Sequence, residues 1–483
     1  MTHFSWLDYT IFGGYLALSA FVGIVAGGKG KSLSDYFLAD RGMNRWVVAM
    51  TILASLFSGI SYLAGPAEVY KNGLGFTLVI VSFFIATPVT AVWLLPKYYN
   101  SRYFTAYHYF QDRFSLSVRL LASGLFILRA SLWLGAAIYA PALALKAVTG
   151  LPLSFTILST GLISTLYTMK GGMKAVIWTD IMQLAVLFGG QLIIMLVAAG
   201  KVDGGFAGVW EAARTGGKLD FSFSLDPHVR ITVWAALIGG TFLNLVQMAT
   251  DQVSVQRYLT AGSLREAQRS LWIKLWIFLP VFLVFYGTGL VLYAFYQQHG
   301  DPLAAGLVSG PDQILPHFVV TQLPAGLPGL LIAAIFAASM STISAGVNSL
   351  TSATLCDFYQ TLSKSELPSE AAQVRRARWW TLFYGLLVTA FAFVFANFDK
   401  TLLESVNTII GIVGGPMLGL FLLGMFTKRA TSRGAIIGCV CGLLTSLSVT
   451  LGNTGISFLW FTMIGTLVTM GVGLLTSIEA PAK

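Results

Sequence analysis

Residues 331–352 read LIAAIFAASMSTISAGVNSLTS. The stretch is apolar enough to lie in a membrane, yet hydroxyls and small side chains crowd its second half. Ala338, Ser341, Thr342 and Ala345 recur at i, i+3, i+4 and i+7, so a helix sets them in one stripe. Inside a bilayer such a stripe does one of two things. It lets a neighbouring helix pack closely, or it offers oxygen ligands to a small hard cation. The stripe alone leaves both readings open.

Composition fixes the class around it. Of 483 residues, 56% are hydrophobic and 10% are charged, against about 25% charged in soluble domains. With long continuous apolar runs and no short alternating segments, the chain reads as a polytopic all-α membrane protein, not a β-barrel. Thirteen spans are expected, near 8–27, 46–69, 74–96, 118–145, 151–169, 175–200, 231–250, 272–297, 326–354, 379–398, 402–427, 433–451 and 457–476. The whole chain is expected to form one transmembrane transporter domain. No Lys or Arg precedes the first apolar run, so that span is read as retained and not as a signal peptide. Cys356, Cys439 and Cys441 sit in or beside spans and suggest neither a disulfide framework nor a zinc site.

The formal charge of +10 is explained by topology. With the first loop placed in the cytoplasm, 22 basic residues fall inside, Arg119, Arg257 and Lys274 among them, and 7 fall outside. Arg129 lies within a span. The bias predicts an inner-membrane protein with its N-terminus outside and its C-terminus cytoplasmic, and it disfavours a nucleic-acid partner. Segment 28–45 is expected along the inner interface, and 201–230 and 298–325 as long outer loops.

Three features lie in the apolar interior. Residues 47–69, VVAMTILASLFSGISYLAGPAEV, are interrupted by Gly59, Gly65 and Pro66 and carry Ser55, Ser58 and Ser61. Either the helix only kinks at Pro66, or it breaks and frees carbonyls for a cation, as in many transporters. Asp180, six residues into the sixth span, is a costly carboxylate and a functional candidate, unless it reaches water at the interface. Arg129 is too deep to snorkel. Its planar fork suits a carboxylate, supplied by an anionic substrate or by Asp251 at the inner end of the seventh span. No HExxH, GxSxG, CxxC or P-loop pattern occurs, and no histidine lies in a span core, so an enzyme is not expected.

Seven blocks then carry a resemblance: PAEVY at 66–70, YAPALAL at 139–145, VIWTDIMQ at 176–183, KVDGG at 201–205, VQRYL at 255–259, AAIFAASMSTIS at 333–344 and GGPMLGLFLLGMF at 414–426. In this order the chain resembles the sodium/solute symporter family, and within it bacterial sodium/sialic acid symporters and sodium-coupled monocarboxylate transporters. The resemblance implies a LeuT-type core of two inverted five-helix repeats, spans 2–6 and 7–11 (about 46–427), with peripheral helices at 8–27, 433–451 and 457–476. It implies a main sodium site at the carbonyls of Ala54, Phe57 and Ala338 and the hydroxyls of Ser341 and Thr342. A second sodium would use Asp180 and Ser344 with Ser341 and Thr342, although Ala345 stands where that site would want a serine. Trp133 aligns with the carboxylate-binding arginine of sialic acid symporters, and Ile80 with their pocket glutamine. Both changes remove polar recognition, so a smaller or more apolar acid is expected, bound by Ser58, Ser61, Arg129, Trp133 and Asp251. The expected activity is sodium-coupled import of a small carboxylate by alternating access across the lipid bilayer, with no prosthetic group. The alternatives are proton coupling through Asp180 or Asp251, and a transporter-derived sensor, which the lack of any soluble output domain in these residues disfavours.

Overall fold

A computed structural model of the chain describes residues 4–27, 32–101, 103–363, 369–395, 409–452 and 454–477. Among these the fold is all-helical. Its single sheet-type pairing is an isolated parallel bridge between Met43 and Ala261. Nine helices, or ten with one bent pair taken as a span, are long and apolar enough to cross a bilayer. Leu153–Gly200 is one of them, but 48 residues would run about 72 Å as a straight rod, over twice the hydrocarbon thickness. It breaks at Gly172, where φ is 59° and an added Cβ would meet Tyr36. That break separates the sequence blocks read as spans at 151–169 and 175–200. The span expected at 402–427 begins outside the described residues, and its described part is Ile410–Phe426.

The hydroxyl-rich helix Leu327–Ala353 is the most enclosed span, packed by Trp6–Val25, Leu116–Thr149, Leu153–Gly200 and both parts of the bent pair. Hydroxyls inside a helix compete with the backbone unless they bond back to it. Here they do so. Thr342, Ser349 and Thr351 donate to the carbonyls of Ala338, Ala345 and Val347, and Ser344 donates to Ser341. The helix start is capped from outside. Asp8 of the first helix accepts from the N–H groups of Gly326 and Gly329, each at 2.8 Å. A side chain at Gly329 would collide with the Asp8 backbone, so glycine permits that contact.

The second span is broken, and at one place. Its first limb, Arg45–Leu56, ends at Phe57 in an extended conformation (φ −92°, ψ 103°). Its second limb, Gly59–Asn72, starts at Ser58, whose hydroxyl accepts from the Ser61 N–H. The limbs are bent by 63°. The expectation that Gly65 and Pro66 also interrupt the span is corrected, because the helix runs through them. Gly65 instead faces the Tyr286 ring.

The seventh span holds a second break that the sequence reading did not place. Helix Ala235–Thr250 ends at Asp251, which is extended (φ −82°, ψ 120°), and helix Gln252–Tyr258 follows. Asp251 is therefore not the inner end of a span but its hinge, and its carboxylate caps the second limb by accepting from Val253 N–H at 2.9 Å. The carbonyls of Ala249 and Thr250, freed by the break, accept from the hydroxyls of Tyr98 (2.7 Å) and Tyr107 (3.0 Å).

Three charges counted in cytoplasmic loops prove to be buried. Arg119 pairs with Asp357 at 2.8 Å, Arg257 pairs with Asp180, and Lys274 lies within helix Leu264–His299. The inner excess falls from 22 to 19 against 7 and keeps its sign. Lys29, Lys31, Arg102, Lys364, Lys400 and Lys483 of that tally lie outside the described residues. In segment 28–45, where described, Leu33, Tyr36, Phe37 and Leu38 are buried, while Asp40, Gly42 and Asn44 are exposed.

Candidate functional site

The two breaks face one cavity of about 170 Å³. The first contributes Ser55, Phe57, Ser58, Ile60 and Ser61 to its wall, and the second contributes Asn244, Gln247, Asp251 and Ser254. Arg129 and Trp133, one turn apart on helix Leu116–Thr149, form a third side. Phe83, Phe278, Phe282, Phe285 and Tyr286 make the rest largely aromatic. All five residues read from sequence as substrate ligands thus meet in one place.

Arg129 and Asp251 are bonded to each other. Arg129 Nη2 lies 2.7 Å from Asp251 Oδ2, and both are buried. The other carboxylate oxygen is held by the helix start at Val253. Arg129 Nε has no protein partner. The guanidinium is thus fixed by one arm and keeps donors in hand. The second limb of the first broken span points its N-terminus at the same cavity. Ser58, Ile60 and Ser61 of this helix start line its wall. Such an end carries partial positive charge and favours anions.

Beside this cavity, the first break approaches the hydroxyl-rich helix. An added Cβ on Gly59 would run into Ser339 Oγ and come within 3.3 Å of Ile335 O. No backbone N–H among the described residues bonds the Phe57 carbonyl, and Ala54 and Phe57 are both buried. Across from them, Ser341 donates its proton to Asp180 Oδ1 at 2.5 Å, and Thr342 donates to Ala338 O at 3.1 Å. A hydroxyl whose proton is engaged in this way turns lone pairs to any cation beside it. Carbonyls and polarised hydroxyls are the donor set of a hard monovalent ion, so the five residues Ala54, Phe57, Ala338, Ser341 and Thr342 suit sodium chemically.

Asp180 lies deep within the protein, not at the interface. It accepts from Ser341, from Thr51 and from Arg257 Nη2 at 2.9 Å. Neither side of the Asp180–Arg257 pair is exposed. Arg257 also donates to Thr51 O (3.1 Å) and Val253 O (2.9 Å). The network joins limbs of both broken spans to the hydroxyl-rich helix. Ser344 bonds back to Ser341 O at 3.0 Å, and Ala345, fully buried, adds no oxygen.

Sequence reasoning missed Asn244, Gln247 and the aromatic wall. Asn244 is anchored to Val79 O and Ser82 Oγ. The Gln247 side chain lines the cavity and makes no hydrogen bond to another described residue. Residues 244, 247, 251 and 254 recur at i, i+3, i+7 and i+10, a helical stripe of polar residues that was available as a signal. What hid it was the break at Asp251, which carries neither Gly nor Pro.

Two discontinuous spans crossing at a polar cavity, beside a hydroxyl-rich helix, define a secondary transporter class. The comparisons place the chain within it. The sequence model of the sodium:solute symporter family matches residues 36–442, and the chain belongs to that family. The human sodium-coupled monocarboxylate transporter 1 is 35% identical over 451 residues, covering 92% of this chain and 73% of the relative. The rabbit (Oryctolagus cuniculus) sodium-dependent multivitamin transporter is 35% identical over 458 residues, covering 93% and 71%. Among solved structures, a Na⁺-coupled sialic acid symporter in a substrate-bound outward-open state matches with a TM-score of 0.91 and 30% identity, covering both chains fully. The nucleobase–cation symporter Mhp1, at 13% identity over 92% of this chain and 94% of its own, shares the fold at a TM-score of 0.59. The protein is a sodium-coupled symporter and not an enzyme.

Proposed function

We propose that the chain imports a small monocarboxylate together with one sodium ion. The observation carrying this reading is the polar half of the cavity. It combines a guanidinium held by one arm, a helix start and the hydroxyls of Ser58 and Ser61, opposite a wall of rings suited to a short apolar tail. Arg129 would orient the carboxylate, Asp251 would hold Arg129 in register, and Trp133 would pack on the tail. Monocarboxylate transporters among the relatives support the same class.

The main sodium site is proposed at Ala54, Phe57, Ala338, Ser341 and Thr342. A second ion at Asp180 and Ser344, sharing Ser341 and Thr342, would have to compete with Arg257 for Asp180. We therefore assign one ion, with Arg257 in place of the second charge. Sodium would tie the first broken span to the hydroxyl-rich helix, complete the cavity and raise substrate affinity by linkage. We further propose one transmembrane domain of thirteen crossings in the inner membrane, N-terminus outside and C-terminus cytoplasmic.

Uptake into proteoliposomes, with and without sodium, against carboxylates, amino acids and sugars tests the reading. Sodium-dependent uptake of short monocarboxylates is expected. Transport of neutral sugars alone would overturn it, and uptake driven by a proton gradient without sodium would replace the coupling ion.

A further inference from the structure

Four basic side chains are buried in the described structure: Arg119, Arg129, Arg257 and Lys274. Three are matched by an acid, at Asp357, Asp251 and Asp180. Lys274 is not. No carboxylate among the described residues lies within ion-pair reach of it, and its polar contact is a thioether, Met248 Sδ, at 3.9 Å. Its ammonium rests on two rings, 4.5 Å from the centre of Phe83 and 5.8 Å from that of Phe278. Both rings also line the cavity, and Met248 follows Gln247 of the cavity wall. A buried ammonium without a counter-ion is strongly unfavourable, and aromatic faces compensate only part of the loss.

The charge count around the cavity asks for such a group. Arg129 is neutralised by Asp251, so the side chains lining the cavity offer a bound monoanion no net charge of their own. We infer that Lys274 is the counter-ion of the transported carboxylate, acting across the Phe83–Phe278 wall and reaching the anion directly when a ring turns aside. Arg129 then sets the carboxylate's orientation, while Lys274 makes the site selective for an anion. This rests on the monocarboxylate reading above.

The test uses propionate and propionamide, an anion and its neutral isostere, as substrates or competitors in sodium-driven uptake by the full chain. Lys274→Met should weaken propionate about tenfold and leave propionamide within about twofold, collapsing the preference for the charged form. Lys274→Arg should keep that preference. Phe83→Leu, which opens the wall, should strengthen propionate relative to propionamide. Sodium-dependent thermal stabilisation of Lys274→Met reports that it is folded, and its surroundings of Met248, Phe83 and Phe278 accommodate a methionine. An unchanged propionate-to-propionamide ratio in Lys274→Met overturns the inference. Were that variant unfolded, an unchanged ratio in Phe83→Leu would do so. Failure of the wild type to move or bind any monocarboxylate overturns the underlying reading instead, so the two outcomes are distinct.

Discussion

At the scale of single residues, the site is governed by paired charges that cannot be removed one at a time. Arg129 and Asp251 sit 2.7 Å apart with almost no solvent access. Deleting either leaves the other buried and unmatched, which costs about 3–5 kcal/mol, whereas replacing both with neutral residues of similar volume is often close to neutral. Arg129→Met and Asp251→Asn are each expected to lower the melting temperature markedly, and the double variant to recover most of the loss. Additive losses in thermal unfolding would show that the pair is not coupled. Uptake should not recover in the double variant, since the guanidinium proposed to orient the carboxylate is gone. The sequence had already posed this pairing, because a mid-span arginine must find an acid. Which acid, and whether substrate competes for it, depended on a contact between residues 122 positions apart, which no local pattern encodes.

Among elements, the informative comparison is between the two broken spans. The first was legible because Gly59, Gly65 and Pro66 are visible breakers, although only the neighbourhood of Gly59 is used. The second was hidden because Asp251 breaks its helix by capping the next one, and an aspartate near an expected span end looks like an interfacial residue. The hydroxyl-rich helix was legible as a stripe, but its partner at the first break was not. Its closeness turns on Gly59, where a methyl group would press on Ser339 Oγ and Ile335 O. Gly59→Ala is therefore expected to push the break away from the helix, at about 1–3 kcal/mol for overpacking, and to raise the sodium concentration needed for half-maximal uptake. Ser339 Oγ is buried without a partner, so Ser339→Ala alone should be tolerated and, combined with Gly59→Ala, should restore part of the sodium affinity. A sodium titration of the four proteins decides it: no rescue would place the break's function elsewhere. The proposed hydroxyl ligands are tested in the same assay, where Ser341→Ala with Thr342→Ala should abolish sodium dependence. Full sodium-driven activity in that variant would remove the main site from these residues.

For the whole molecule, the decisive quantity is the charge moved per cycle. Composition and span pattern give a membrane transporter, and the family gives sodium, but stoichiometry follows from how buried charges are matched in three dimensions. Asp180 is compensated by Arg257, and Thr51 and Ser341 supply its other hydrogen bonds. Ala345 supplies no ligand. One sodium ion travelling with one monocarboxylate anion moves no net charge, while two would move one. A single charge is worth about 2.3 kcal/mol per 100 mV, which changes the equilibrium accumulation ratio about fifty-fold. Proteoliposomes clamped at 0 and at −100 mV with a potassium diffusion potential should therefore accumulate substrate to the same level, with a Hill coefficient for sodium near one. Breaking the Asp180–Arg257 pair should change that balance. Arg257→Met leaves Asp180 buried without its cation, and the vacated carboxylate, flanked by the Thr51 and Ser341 hydroxyls, becomes an attractive cation position. That variant, if it folds in high sodium, should gain a steeper sodium dependence and a response to voltage. Voltage-sensitive accumulation in the wild type would show instead that Arg257 already yields to a second ion during the cycle.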